Sequence, residues 1–338
     1  MKAYHIQFID PFKAELTTFD FVDAISGEHE VIVETEATLI SPGTELAYYT
    51  NKHPLGSNRY PGGVGYANVG RVVAVGNAVK HLKPGDRVCC HTRHASMTRF
   101  DTYHCVHLKL PEEIDAGKAV FIRMATVSMT TLRICRAKPG DYVAVFGLGL
   151  VGNLAAQIFQ ASGMNVTGFD PSEGRRGIAH RCGVRRVHAV PIADESAIVN
   201  HHTDSKGFHL LIDAAGRPEV FCEAVKVARP GAEIFLIALN WSKETSVLAT
   251  ELLQPIFHKY LTVRSGWEWQ IPLFDTGVHA PHSMTQNSQH ALDLIQSGQL
   301  RVADLITHRM SASEAQTAYQ GLLNDPDSYL GVVFNWKK

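Results

Sequence analysis

Ten consecutive residues, Val143-Ala144-Val145-Phe146-Gly147-Leu148-Gly149-Leu150-Val151-Gly152, carry the most specific chemical signal in the chain. Four apolar residues run into Gly-x-Gly-x-x-Gly, and each glycine has a separate job. Gly147 permits a tight turn off a strand, Gly149 lets a pyrophosphate approach the backbone, and Gly152 allows a helix to pack closely on the strand. Leu150 and Val151 open the helix, where free N–H groups and a partial positive charge face the phosphates. A helical run from Asn153 to Ser162 follows, closed by Gly163. Met164–Asp170 then reads as a second strand ending in an acid. Asp170 stands about 20 residues past the glycines, the spacing needed to accept the ribose hydroxyls of an adenosine. A carboxylate there repels a 2′-phosphate and favours NAD over NADP. Arg175 and Arg176 follow closely, either softening that preference beside the adenine or simply opening a solvated helix.

A second group of chemically capable residues is the tract Cys89, Cys90, His91, His94, His104, Cys105 and His107. It lacks the paired Cys-x-x-Cys spacing of a structural zinc site. Within a strand Cys89 and Cys90 point to opposite faces, so core cysteines with surface or cleft histidines are expected.

The elements that position these residues fall into two patterns. Up to about residue 118 the chain is β-rich, with strands over Val31–Ala37, Val69–Gly76 and Arg87–Cys90 and a turn at Lys83-Pro84-Gly85-Asp86. Short strands and many turns suggest a barrel-like domain. From residue 119 a helical stretch to 135 leads into alternating strands and helices. Helices are expected around Arg175–Arg181 and Glu219–Ala228, and strands around Arg186–Val190 and over Phe208–Asp213, Glu233–Ala238 and Leu261–Ser265. That alternation predicts an α/β class with an open parallel sheet. Toward the end, helices are expected over Gln289–Ser297 and Ser313–Leu323, the second behind a capping box at Ser311 and Glu314, and Tyr329–Asn335 closes as a strand.

With 338 residues the chain is long enough for two domains, and a formal net charge of −1 argues for neither a nucleic-acid nor a membrane partner. No apolar run approaches the ~20 residues of a membrane span. The N-terminus alternates like a strand and lacks a signal peptide's apolar core. Six cysteines in a chain this long do not make a disulfide framework, so a reduced, cytoplasmic protein is expected.

Together these residues resemble the medium-chain dehydrogenase/reductase superfamily along nearly the whole chain. The markers are Gly70-Arg71-Val72-Val73-Ala74-Val75-Gly76, Lys83-Pro84-Gly85-Asp86-Arg87-Val88, the dinucleotide motif, and Asp304–Met310 before a helix and a terminal strand. The resemblance implies a GroES-like β-rich catalytic domain over 1–118, a Rossmann doubly wound NAD-binding domain over 119–268, and a segment over 269–338 that returns to the catalytic domain. It also implies a small-molecule substrate in a cleft and a homodimer or homotetramer, with Leu261–Ser265 and Trp267–Gln270 at the interface or walling the substrate pocket.

The departures from the family pattern concern its metal. Where zinc-dependent relatives place a cysteine ligand, this chain has Pro42 in Ser41-Pro42-Gly43-Thr44-Glu45. The Gly-His-Glu of those relatives becomes Gly65-Tyr66-Ala67, and the third ligand position falls at Ile122 or Arg123. The four-cysteine structural-zinc lobe is missing. A metal needs N, O⁻ or S⁻ donors, so no zinc is expected. The Ser-Pro-Gly-Thr-Glu and Gly-Tyr runs are similar to a zinc-less branch that includes the bacteriochlorophyllide dehydrogenases. The signature of quinone oxidoreductases is not evident near Gly43–Glu45.

Without zinc, side-chain donors must stabilise a developing alkoxide. By the resemblance Tyr66 stands where a ligand histidine would. A phenol with a pKa of about 10 needs a nearby cation to act as a base, and Arg123 is the candidate cation. Alternatively, Tyr66 fills the vacated metal site. Thr44 matches a proton-relay hydroxyl. Glu45 matches an acid behind the metal region, either binding a substrate hydroxyl or pairing with an arginine. His94 is a further base candidate, or a surface or packing histidine. Thr126 resembles a threonine that touches the nicotinamide. The expected activity is NAD(H)-dependent, zinc-independent interconversion of a secondary alcohol and a ketone, on a polyol, sugar or cyclitol. The alternatives are an enone or quinone reductase, and a dinucleotide-binding redox sensor without turnover.

Overall fold

The computed structural model describes residues 1–53, 60–239, 241, 245–277 and 280–336. The chain divides into two compact units. One comprises Met1–Met124, Ile271–Gln296 and Ile306–Lys338; the other comprises Ala125–Gln270 and Ser297–Leu305.

The second unit is built on a six-stranded sheet in which every neighbour runs parallel. Its order is Val187–His188, Asn165–Phe169, Tyr142–Phe146, Phe208–Asp213, Ala228–Leu236, Thr262–Ser265. Tyr142–Phe146 comes first in the chain but lies inside the sheet. The strand order therefore reverses beside it, which is where ligands bind in open α/β sheets. Fully buried Val, Ile, Leu and Phe side chains from these strands feed one cluster on each face of the sheet, as expected for strands covered by helices on both sides. This is the doubly wound Rossmann arrangement that the alternating pattern predicts.

The first unit is β-rich. A long strand, Glu30–Leu39, pairs antiparallel with Asn68–Val75 on one edge and with Gly331–Asn335 and Met97–Asp101 on the other. Pairing continues through Arg87–Cys90 to His107–Leu110, and from Gly331–Asn335 in parallel to Ile306–Ser311. A smaller sheet is formed by Lys13–Asp20, Lys2–Asp10 and Gly62–Gly63. The last strand of the chain thus completes the sheet of the first hundred residues. Its core gathers Phe8, Tyr49, Tyr319 and Phe334.

Some elements differ from expectation. The helical stretch over 119–135 is two helices, Ala116–Ala119 and Phe121–Ile134. The strand expected around Arg186–Val190 is reduced to Val187–His188, at the sheet edge where only one neighbour supports it. The helix expected at Gln289 begins at Met284. The capping box at Ser311 and Glu314 forms, but it caps a 3₁₀ turn, Ala312–Glu314, ahead of the helix Ala315–Asn324. Among the described residues, the helices Pro42–Tyr49, Glu195–His202 and Ala249–His258 are not among those the sequence pattern predicts. The last contains Pro255, which reads as a helix breaker.

Candidate active site

The glycine turn of the second unit has the sterics its spacing demands. Gly147 has φ +91°, a left-handed conformation costly for any other residue. A Cβ on Gly152 would lie 1.8 Å from the Gly147 carbonyl oxygen, so nothing larger fits. A Cβ on Gly149 would meet nothing within 4 Å; this is open space above the backbone. The helix Leu150–Ala161 starts here with Gly149 as an N-cap that offers no side-chain acceptor. The N–H groups of Leu150, Val151 and Gly152, in the first helical turn, have no intrahelical partner by geometry. An open approach, unpaired amides and the helix dipole together fit a pyrophosphate.

Asp170 ends the neighbouring strand and is 1% exposed. Its Oδ2 accepts from the Leu148 N–H at 2.7 Å and its Oδ1 from the Ser172 N–H at 2.9 Å. The carboxylate therefore braces the turn as well as offering its remaining lone pairs. Arg175 Nη1 lies 3.9 Å from Asp170 Oδ2, and Arg176 donates to the Asp170 carbonyl at 2.8 Å. Both arginines are thus oriented by the acid's own strand end. Thr126 is fully buried in the helix Phe121–Ile134, where its carbonyl accepts from Thr130 Oγ1 at 3.1 Å.

In the first unit, Thr44, Tyr66 and Arg123 come together with a residue not singled out in the sequence, Ser41. The Tyr66 hydroxyl donates to Ser41 Oγ in a short hydrogen bond and lies 3.4 Å from Thr44 Oγ1. The Arg123 guanidinium sits 4.7 Å above the centre of the Tyr66 ring, a cation–π contact. Arg123 acts on the Tyr66 phenol in the expected direction, lowering its pKa, but burial acts against it and is the larger influence. Burial pushes the phenol above its ordinary value near 10, and Arg123 only partly offsets it. Tyr66 is therefore a donor at neutral pH.

Ser41 and Thr44 are placed by the helix Pro42–Tyr49, with Ser41 at its N-cap and Pro42 in its first turn. Glu45 reaches back to accept from the Ser41 N–H at 2.7 Å. The pattern Ser-Pro-x-x-Glu was a legible start signal for this helix.

Glu45 is not paired with Arg123. It is 2% exposed, and its second oxygen accepts from the Tyr319 hydroxyl at 2.5 Å and from His94 Nε2 at 3.0 Å. With a carboxylate on Nε2, that nitrogen carries the proton; His94 Nδ1 has no hydrogen-bond partner among the described residues. Histidine 94 is completely buried, with its ring edge-on to Phe334 at 5.6 Å. The packing alternative for His94 is the one the structure supports, and neither His94 nor Glu45 is presented to solvent. Their effect on the hydroxyl cluster is indirect. Gly65, at φ +91°, has the His94 ring 2.5 Å from where its Cβ would be. Only glycine lets the chain pass there, and the next residue is Tyr66. Tyr319 lies more than 270 residues from its partner (sequence separation 274), so no local signal could have found it.

The Cys/His tract divides: Cys90 pairs with His107 across neighbouring strands, while His94 turns to Glu45. Burial pushes the Cys89 thiol up to about 12 and the Cys105 thiol to about 11. His107 Nε2 meets His81 Nε2 at 2.7 Å, and His104 is exposed. Among the described residues no group of three or more His, Cys, Asp or Glu side chains is arranged to hold a metal ion.

Comparison with known proteins places this geometry in a family. The model for the alcohol dehydrogenase GroES-like domain matches residues 27–114, and that for zinc-binding dehydrogenases matches residues 151–271. The chain belongs to the medium-chain dehydrogenase/reductase superfamily, alcohol dehydrogenase-like, and is an oxidoreductase of that group. Among its relatives, the 2-desacetyl-2-hydroxyethyl bacteriochlorophyllide A dehydrogenase of Cereibacter sphaeroides is 26% identical over 329 residues, 91% of each chain. Galactitol-1-phosphate dehydrogenase from Escherichia coli shares the fold at TM-score 0.82 and 20% identity, covering 98% of this chain and 99% of that one. A quinone oxidoreductase from Pseudomonas syringae pv. Tomato DC3000 does so at TM-score 0.78 and 20% identity, with the same coverage of 98% and 99%.

Proposed function

We propose that the protein is an NAD(H)-dependent, zinc-independent oxidoreductase that interconverts a secondary alcohol and a ketone on a small polyol, sugar or cyclitol. The observation that carries this reading is the hydroxyl cluster of Ser41, Thr44 and Tyr66 with Arg123 over the Tyr66 ring. Relatives that use zinc need donors at these positions, and the residues present do not suit one. Pro42 has no donor atom. Tyr66 keeps its proton. Ile122 is apolar and fully buried. Arg123 already supplies a positive charge, which would repel a metal cation.

The glycine turn, the amides of Leu150 and Val151, and Asp170 would hold the dinucleotide, with Arg175 beside the adenosine and Thr126 toward the nicotinamide. When bound, the nicotinamide gives or accepts the hydride. The chain's own part is proton and charge control. In the reductive direction Tyr66 Oη donates its proton to the carbonyl oxygen, and the Ser41 and Thr44 hydroxyls relay a replacement proton from water to the phenolate. The Arg123 cation stabilises the negative charge that develops. In the oxidative direction the same hydroxyls carry the proton away. Glu45 and His94, buried behind, position the cluster without touching substrate.

The same donor set would serve a reductase of an enone or quinone, since a protonated phenol beside a cation also polarises a conjugated carbonyl. Product analysis separates the readings: reduction at carbon rather than at oxygen replaces the first by the second. A redox sensor binds NADH and turns over nothing on a panel of secondary alcohols, polyols and ketones. Near-stoichiometric zinc that survives dialysis would overturn the zinc-independent mechanism. Tyr66→Phe should lower turnover about 100-fold, within the usual range for a proton donor, with NADH affinity unchanged; unchanged turnover removes Tyr66 from the mechanism.

The assignment carries a catalytic domain ending near residue 118, a dinucleotide domain to about 268, and a C-terminal segment that, apart from Ser297–Leu305, belongs with the first. A homodimer through the second unit is part of the reading. Supporting it, the edge strand Thr262–Ser265 is paired on one side only among the described residues, and Phe257 and Trp267 nearby in sequence are 77% and 67% exposed. A cytoplasmic location is proposed on cysteine usage; among the described residues no helix is long and apolar enough to cross a membrane.

A further inference from the structure

The first unit contains a cavity of about 640 Å³ that the hydroxyl cluster and Arg123 do not line. It lies between the hairpin of Lys2–Asp10 and Lys13–Asp20 and the segment from His91 to Arg99. Its apolar wall is made by Ile6, Phe21 and Met97, all buried, and by Phe19, whose ring lies 4.6 Å from that of His5. Such a volume suits a small organic molecule.

The charges around it do not cancel. Arg99 is used up: Nη1 donates to Glu30 at 2.7 Å, Nη2 to the Val22 carbonyl, and its guanidinium carbon lies 5.0 Å over the Phe21 ring. Asp20 is paired with Lys2 at 2.8 Å. Arg93 is different. It is exposed at the rim, lies against Gly63, and among the described residues no carboxylate pairs with it. His5, beside it, has its proton affinity lowered by burial and then by the Arg93 charge, so it is a neutral imidazole able to donate one hydrogen bond. One uncompensated guanidinium therefore stands beside an aromatic and aliphatic wall.

We propose that this cavity binds a small monocarboxylate bearing an aromatic or apolar group, with Arg93 as the anchor. The guanidinium fork matches a carboxylate through two parallel hydrogen bonds, and the apolar part would cover Phe19 and the Met97 wall. A single unpaired cation calls for a single negative charge, which favours a carboxylate over a phosphate dianion. The site is lined by residues other than those of the proposed reaction centre, although His91 in its lining feels the Arg123 charge.

Isothermal titration of the full-length chain with benzoate, benzylamine and inorganic phosphate tests this. Benzoate should bind saturably, and more tightly than either of the others. Arg93→Gln should weaken benzoate at least about tenfold, the scale of a lost charge-assisted pair. Phe19→Ala should weaken it severalfold. Thermal unfolding and NADH binding should be unchanged in Arg93→Gln, which keeps the result independent of the nucleotide site. Absence of saturable benzoate binding, equal binding of benzylamine or phosphate, or full binding by Arg93→Gln would each overturn the proposal.

Discussion

The glycine turn of the second unit and the hydroxyl cluster of the first are made of different material. The turn works through backbone: three glycines, the first amides of a helix, and one carboxylate that braces them. The cluster works through side chains drawn from distant segments: Ser41 and Thr44 on a short helix, Tyr66 after a strained glycine, and Arg123 on another helix. Behind it stand Glu45, His94 and Tyr319. Backbone sites constrain residue type, because at Gly147 and Gly152 only glycine tolerates the conformation or the contacts. Side-chain sites constrain partnerships instead, and a partner can lie anywhere in the chain.

This contrast can be broken by substitution, and the largest effect is expected at the turn. Gly152→Ala forces a methyl group to within 1.8 Å of a carbonyl oxygen and 2.9 Å of the Ala214 Cβ. Overpacking costs about 1–3 kcal/mol or more, and here the backbone itself must move. NADH binding, followed by fluorescence, should be lost; retained affinity would show that the turn is more forgiving than its geometry. Next is the buried support of the cluster. Tyr319→Phe removes one of three donors to the Glu45 carboxylate and should cost about 2 kcal/mol in denaturant unfolding, as for a hydrogen bond to a charged group. NADH affinity should stay unchanged, and a change there would mean the two regions are not independent.

A smaller effect is expected at Asp170. Asp170→Ala should shift the NAD to NADP affinity ratio by about tenfold toward NADP, or ~1.4 kcal/mol. An unaltered ratio would reduce Asp170 to a brace for Leu148. The smallest effect concerns Asp213, at the end of the strand beside Tyr142–Phe146. Burial raises its carboxyl from 3.8 to about 6, against the opposing donors of Gly216 and Ala215. The fold therefore favours the protonated form. Its stabilisation is complete below about pH 4 and is lost as pH rises through about 6. Asp213→Asn keeps an oxygen for those two N–H groups and cannot ionise. It should raise stability by ~1 kcal/mol at about pH 8, with the gain vanishing near pH 4. A gain that is the same at both pH values would place the carboxyl's titration outside this range.

Legibility in the sequence followed the same division. The strand Phe208–Asp213 lies where the apolar run places it, and the helix after Gly149 begins one turn earlier than its apolar run. Period, glycine spacing and caps are local, so residues a few positions apart carry them. Pro255 hid a helix because one residue's strong bias masked its neighbours. Thr44, Tyr66 and Arg123 were legible as candidates through positions they share with a family, but their protonation and partners were not. Whether Arg123 makes Tyr66 a base depends on burial against charge, and burial wins. Of the readings open for His94, a base, a surface or a packing histidine, burial in the core leaves the packing one.

By itself, then, the amino-acid order determined the parallel sheet, the glycine turn and side chains without donor atoms at Pro42 and Ile122, because each rests on one residue's chemistry or on neighbours within a few positions. Only the folded chain decided that Glu45 serves His94 and Tyr319 rather than an arginine, and that Tyr66 holds its proton. Those outcomes depend on which groups lose water together, and burial is a property of the assembled interior.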